Sequence, residues 1–139
     1  MNKNFIVADD AVGIEIADQY FDLHNDFGLS EMVIGFGDKR LRLRFTRYAT
    51  ASPSAKVSVL ELRFEDVDYL NLSAGFVRKL PHEVDEFGYK QPDDFDHDWL
   101  MRERHAAASG HLFFRFAEDE FIRVHSQSVT ATFELAPRV

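Results

Sequence analysis

Residues 111–135, HLFFRFAEDEFIRVHSQSVTATFEL, decide how this chain is read. In the last part, Val129, Ala131, Phe133 and Leu135 fall on one side, and Thr130, Thr132 and Glu134 on the other. Successive side chains of a strand point to opposite faces, so this alternation predicts a half-buried β-strand. Two more strands are expected before it, His111–Phe116 and Phe121–His125. Glu118-Asp119-Glu120 and Ser126-Gln127 supply the turns.

Further strands precede these. Met32, Ile34 and Phe36 alternate with Val33 and Gly35, and Gly37-Asp38 reverses the chain into Leu41, Leu43 and Phe45, a β-hairpin signal. Lys56–Phe64 places Leu60, Leu62 and Phe64 on one face but Val57 and Val59 on the other. That phase change predicts a bulge or a strand covered on both sides. Glu65-Asp66 reads as a turn into a strand at Val67–Ser73, with Leu70 and Leu72 inward. Residues 9–23 fit two patterns. Val12, Ile16 and Tyr20 have helical spacing, whereas Val12, Ile14 and Ile16 alternate as in a strand.

One helix is signalled at about residues 94–108. Pro92 precedes it, Asp93 or Asp94 can cap it, and Arg102, Arg104 and His105 lie toward its end before Gly110. Residues 74–91 show no sustained period and read as a long loop, a feature often tied to function in compact domains. These readings predict a β-rich α+β fold in a single globular domain, residues 1–139. It would be an antiparallel sheet or sandwich of six to seven strands with one or two helices packed on it.

Composition limits the function. The chain has 139 residues, 14 of them Phe, and no cysteine, which excludes a disulfide framework, a thiolate metal site and a cysteine nucleophile. No apolar run approaches the roughly 20 residues that span a bilayer, and Asp9-Asp10 follows the N-terminus too closely for a signal-peptide core. A cytoplasmic location is expected. Net charge is −8, but it is segregated. Residues 9–26 hold six acids and no base, and residues 82–98 hold seven acids against Lys90, so each stretch is −6. The remainder is +4, with 11 acids against 15 bases. Such a surface repels nucleic acid and anionic membranes and attracts a basic protein. Arg40, Arg42 and Arg44 share a strand face and read as a solvated outer surface.

Catalytic patterns are thin. There is no Gly-x-Ser-x-Gly, and Gly35-Phe36-Gly37 sits inside a hairpin rather than before a helix. His24-Asn25-Asp26 has the residue types to orient a water, yet short polar groups before a strand usually form turns. His82, Asp94, His97 and Asp98 have the donor atoms for a metal, provided they converge. No cofactor is expected. The loop at 74–91 carries Phe76, Phe87 and Tyr89 among acids, as protein-binding surfaces do. Phe87, Tyr89, Glu83, Asp85, Glu86, Asp94 and Asp98 are therefore the candidate contacts for a partner protein.

The succession Phe21–Phe27, Leu41–Phe45, Leu60–Val67 and Phe114–Val124 resembles small acidic bacterial proteins of unassigned function, some of them immunity proteins of polymorphic toxin systems. The resemblance covers about two-thirds of the chain. It implies a sheet-rich binding protein with no shared catalytic residues to carry over. The expected function is non-catalytic binding of a basic protein, such as a toxin that it inhibits. The alternatives are a small-molecule or metal-dependent enzyme with a Phe-lined cavity, and a homodimer formed through an exposed strand edge.

Overall fold

The computed structural model describes residues 1–51, 56–76 and 82–135, and of His82 the backbone only. Ten strands run β1 Asn2–Lys3, β2 Phe5–Val7, β3 Gly13–Ile16, β4 Gln19–Asp22, β5 Phe27–Gly35, β6 Arg40–Arg47, β7 Val57–Leu72, β8 His82–Lys90, β9 His111–Phe116 and β10 Phe121–Leu135. The order β10-β7-β6-β5-β8-β9 returns to β10, closing a six-stranded antiparallel barrel. β1 adds to β10 in parallel, and β2-β3-β4 form a separate three-stranded sheet. Closure leaves the barrel without an edge strand, although β7 runs past the end of its pairing with β6.

Many inward positions are those the alternation marks, although Phe36 and Leu135, grouped with them by the same pattern, are 87% and 68% exposed. Leu41, Leu43 and Phe45 of β6, Leu60, Leu62 and Phe64 of β7, and Ile122, Val124, Val129 and Ala131 of β10 are all buried. Their aromatic neighbours fill the interior ring on ring: Phe87 stacks on Phe114 at 5.2 Å, and Phe45 meets Phe114 at 6.1 Å. The small sheet joins the same core through Phe5, Val7, Ile14, Ile16 and Phe21. Asn4 then ties it to β10, because its side-chain amide exchanges two hydrogen bonds with the Ala131 backbone (2.9 and 2.7 Å).

The expected α+β class is overturned. Among the described residues there is no α-helix, only two short 3-10 turns at Glu103–His105 and Ala117–Asp119. Residues 91–110, read as a helix with its cap and exit, instead form an irregular strap across the outer face of β8, β9 and β10. The local reason is the aspartate run. Asp94 Oδ1 accepts the Asp96 N–H (2.9 Å), as an N-cap would, but Asp96 Oδ1 then accepts the Asp98 N–H (3.0 Å), the donor that would close the first helical turn onto the Asp94 carbonyl. The long-range reason is Arg123, whose guanidinium takes the carbonyls of Gln91, Pro92 and Asp94. Arg115 takes that of His97, and Lys90 that of Trp99.

Two expected turns are continuous strand. β7 runs unbroken through Glu65-Asp66, where Asp66 adopts φ 55°, and β10 runs through Ser126-Gln127; the register shift between His125↔Tyr69 and Ser126↔Val67 leaves Asp68 of β7 as the extra residue. The expected loop at 74–91 contains β8. Residues 13–22 form the β3–β4 hairpin rather than a helix. The hairpin at Gly37-Asp38 forms as read, with β5 and β6 paired from Phe27↔Arg47 to Gly35↔Arg40.

Candidate functional site

The candidate contacts divide into three groups. Phe87 and Tyr89 belong to the interior, at 0% and 2% exposure, so neither can touch a partner without opening the barrel. The Tyr89 hydroxyl bonds Glu103 on the strap, and burial together with that carboxylate pushes its pKa up. These residues are aromatic because the barrel needs volume there, which removes them from the expected binding set.

Glu83, Asp85 and Glu86 stand on the outer side of β8. A register shift between Val84 and Glu86 leaves Asp85 as the bulged residue. Glu86 turns to Arg115 at 3.7 Å. Glu83 and Asp85 turn the other way, to the β4–β5 connection. There, His24 Nδ1 lies 3.0 Å from Glu83 Oε1 and 3.9 Å from Asp85 Oδ1, and it donates to the Val84 carbonyl at 2.8 Å. The turn that presents His24 is built by Asp22, whose Oδ1 accepts the backbone N–H groups of His24 and Asn25 at 2.8 Å each. Nearby Tyr48 donates its backbone N–H to the Asp26 carbonyl, and burial and then Glu83 push its phenol pKa up. His24 thus brings the Asp22–Asp26 turn of the first acidic stretch against Glu83 and Asp85 of the second. That contact was not legible in either stretch alone.

Asp94, His97 and Asp98 lie apart from this face, on the strap. Asp94 is 3.3 Å from Lys90 Nζ, and its carboxyl is held below the ordinary range, first by the Asp96 backbone bond and then by Lys90. His97 Nε2 accepts from Arg123 Nη1 at 3.1 Å, so its lone pair is occupied, and burial and the Arg123 charge lower its pKa. Asp98 is exposed. The expected metal set is therefore not assembled from Asp94, His97 and Asp98, and the side chain of His82 lies outside the described residues. Among the described residues one other group has the spacing for a cation: His24, Glu83 and Asp85, with ligand atoms all within 4.8 Å of one another.

A surface cleft of about 320 Å³ lies beside Arg40, Arg42 and Arg63, with Phe64 its single aromatic. The outer arginines are paired: Arg42 Nη2 with Glu31 at 2.7 Å, and Arg44 with Glu61 at 3.8 Å. No described helix is long and apolar enough to cross a membrane.

The fold class defined here is a closed antiparallel β-barrel with an outer strap and a joined acidic face. The chain matches no protein-family model, and comparison with curated proteins and with solved structures gave no match.

Proposed function

We propose that the chain is a non-catalytic binding protein that engages a basic protein surface through the acidic face around His24. The observation that carries this reading is the contact of His24 with Glu83 and Asp85, because it sets the Asp22–Asp26 turn of the first acidic stretch beside two acids of the second. A concentrated field of one sign speeds encounter with an oppositely charged partner and sets its choice. Inhibition of a basic toxin in the cytoplasm is the specific form of this function that the resemblance implies. Affinity capture from the source lysate at low and high salt, followed by mass spectrometry, tests the reading. A stoichiometric basic protein that is weakened at high salt supports it. Binding unchanged by Glu83→Lys, Asp85→Lys and Glu86→Lys together would sink it.

The spacing of His24, Glu83 and Asp85 favours one second reading, a divalent cation at the same face. It predicts a rise in melting temperature with one divalent ion that His24→Ala abolishes.

A further inference from the structure

We propose that the chain also binds an extended peptide, added as a strand to the edge of β7 beyond Val67, with the peptide's carboxyl end toward Lys39 and Arg40. The pairing of β6 with β7 ends at Leu41↔Phe64, followed by one last bond from the Val67 N–H to the Lys39 carbonyl at 2.9 Å. β7 continues to Leu72, paired with β10 on its other side through Leu70↔Val124 and Leu72↔Ile122.

The direction of the backbone groups follows from alternation. Ser73 donates its N–H to the Phe121 carbonyl at 3.1 Å, so Asn71 and Tyr69, two and four residues back, also face β10. Leu70 and Leu72 point their N–H and C=O groups the other way, where no described residue pairs with them. Unmet strand groups of this kind are a template for another strand.

Beside this edge lies a cleft of about 250 Å³ whose walls include Ile34, Phe36, Lys39, Val67, Tyr69 and Leu70. Phe36, on the turn between β5 and β6, is 87% exposed, an unusual position for a large aromatic side chain. The walls suit one aliphatic side chain of the incoming strand. An antiparallel addition to β7 lies in line with β6 and runs in the same direction, so its last residue arrives where β6 begins. Lys39 stands at that corner with no acidic partner among the described residues. Arg40 stands next to it, 3.9 Å from Asp38. Of the acids on this part of β7, Glu65, Asp66 and Asp68, the last lines the cleft and is held by His125 at 2.6 Å. The corner therefore suits a carboxylate. The protruding β5–β6 turn favours a single peptide over the edge of a second barrel, which would have to pass it. This surface is independent of the acidic face around His24.

The test uses random octapeptides with free carboxyl ends, selected against the whole chain, then synthesised as free acid and as amide. Selected peptides should carry an aliphatic residue near the end, and bound peptide should slow amide hydrogen exchange at Leu70 and Leu72 at least tenfold. Leu70→Pro removes an N–H that faces the cleft rather than β10, so it should fold like the wild type and weaken binding at least tenfold. Lys39→Glu, on the turn, should weaken it about fivefold and does not depend on the proline variant folding. A preference for the free acid assigns the end carboxylate, and loss of binding on removing an acidic side chain assigns that side chain. No enriched peptide, or binding untouched by both variants, would overturn the proposal. So would a dimer seen by sedimentation and abolished by Leu70→Pro, which would give the edge to a second copy.

Discussion

Arg123, wholly buried on the outer side of β10, donates its Nε–H to Nδ1 of His111 at 2.9 Å. The bond makes Nδ1 an acceptor, so the neutral ring is the form that fits. Burial first, and the guanidinium charge second, push the His111 pKa from 6.5 down to about 4. Tyr69 lies against the same ring at 4.4 Å and His125 at 5.5 Å, leaving little room to rearrange.

Stability should therefore depend on acid in a defined window. The unfolded chain protonates His111 near 6.5 and the folded chain only near 4, so the unfolded state binds more protons between those values. Stability is fully present above pH 6.5, falls as pH drops through the window, and levels off below 4 as far as this group is concerned. His97 shifts in the same direction and adds to the loss. Urea unfolding at pH 7, 5.5 and 4.5 should show a decline of about 1–3 kcal/mol, and His111→Gln should flatten it. An unchanged slope in that variant would remove His111 as the cause.

Arg123→Met should loosen the strap. The substitution keeps bulk but leaves the carbonyls of Gln91, Pro92 and Asp94 without their donor. A loss of about 1–3 kcal/mol is expected, since three part-buried acceptors and the His111 ring lose their donor together. Limited proteolysis should then cut first within 91–101, and cleavage elsewhere first would refute the account.

Two glycine substitutions should separate cleanly. A Cβ on Gly88 would sit 2.7 Å from the Met101 carbonyl and 3.1 Å from Leu100 Cβ, across the Tyr89↔Met101 bridge. Gly88→Ala should destabilise by about 1–3 kcal/mol. Gly37→Ala meets nothing within 4 Å and should be neutral within about 0.5 kcal/mol. Thermal melts of the two variants settle the contrast.

Phe87→Ala should act on folding rather than on recognition. Removing the ring that stacks on Phe114 leaves a cavity in the barrel, with an expected loss of about 3–5 kcal/mol. Where the variant remains folded, partner affinity should stay near that of the wild type. A large drop in affinity with intact stability would return Phe87 to the binding surface.

Much of the barrel was legible because most strands keep a strict period of two. β6 and the latter half of β10 read correctly from Leu41, Leu43 and Phe45 and from Val129 and Ala131. β8 was hidden by its own bulge: Val84 faces inward at an even position, Phe87 and Tyr89 at odd ones, and the change of phase at Asp85 erased the alternation. Continuous stretches of β7 and β10 likewise resembled turns, since Asp66 and Ser126-Gln127 are residue types that turns favour. The helix at 94–108 failed for the opposite reason. Its local signals were present, but Asp94 and Asp96 capped their own neighbours, and an arginine some 30 residues away claimed the carbonyls. At the candidate site the acids were readable as charge, but the meeting of His24 with Glu83 was not, because only the closed barrel brings them together.

The attachment of β1 and Asn4 to β10 has a bearing on how the chain is made. Asn2 and Lys3 find their partners at Ser128 and Val129, and Asn4 finds its own at Ala131, in the last strand described. β10 also supplies the neighbours of β7 and β9. On the ribosome β1 must wait, unpaired, until that segment emerges, so closure comes after nearly all of these residues have been translated. Such high contact order places folding in the millisecond-to-second range. Until then, the interval of exposed apolar strands is when this chain most needs a chaperone.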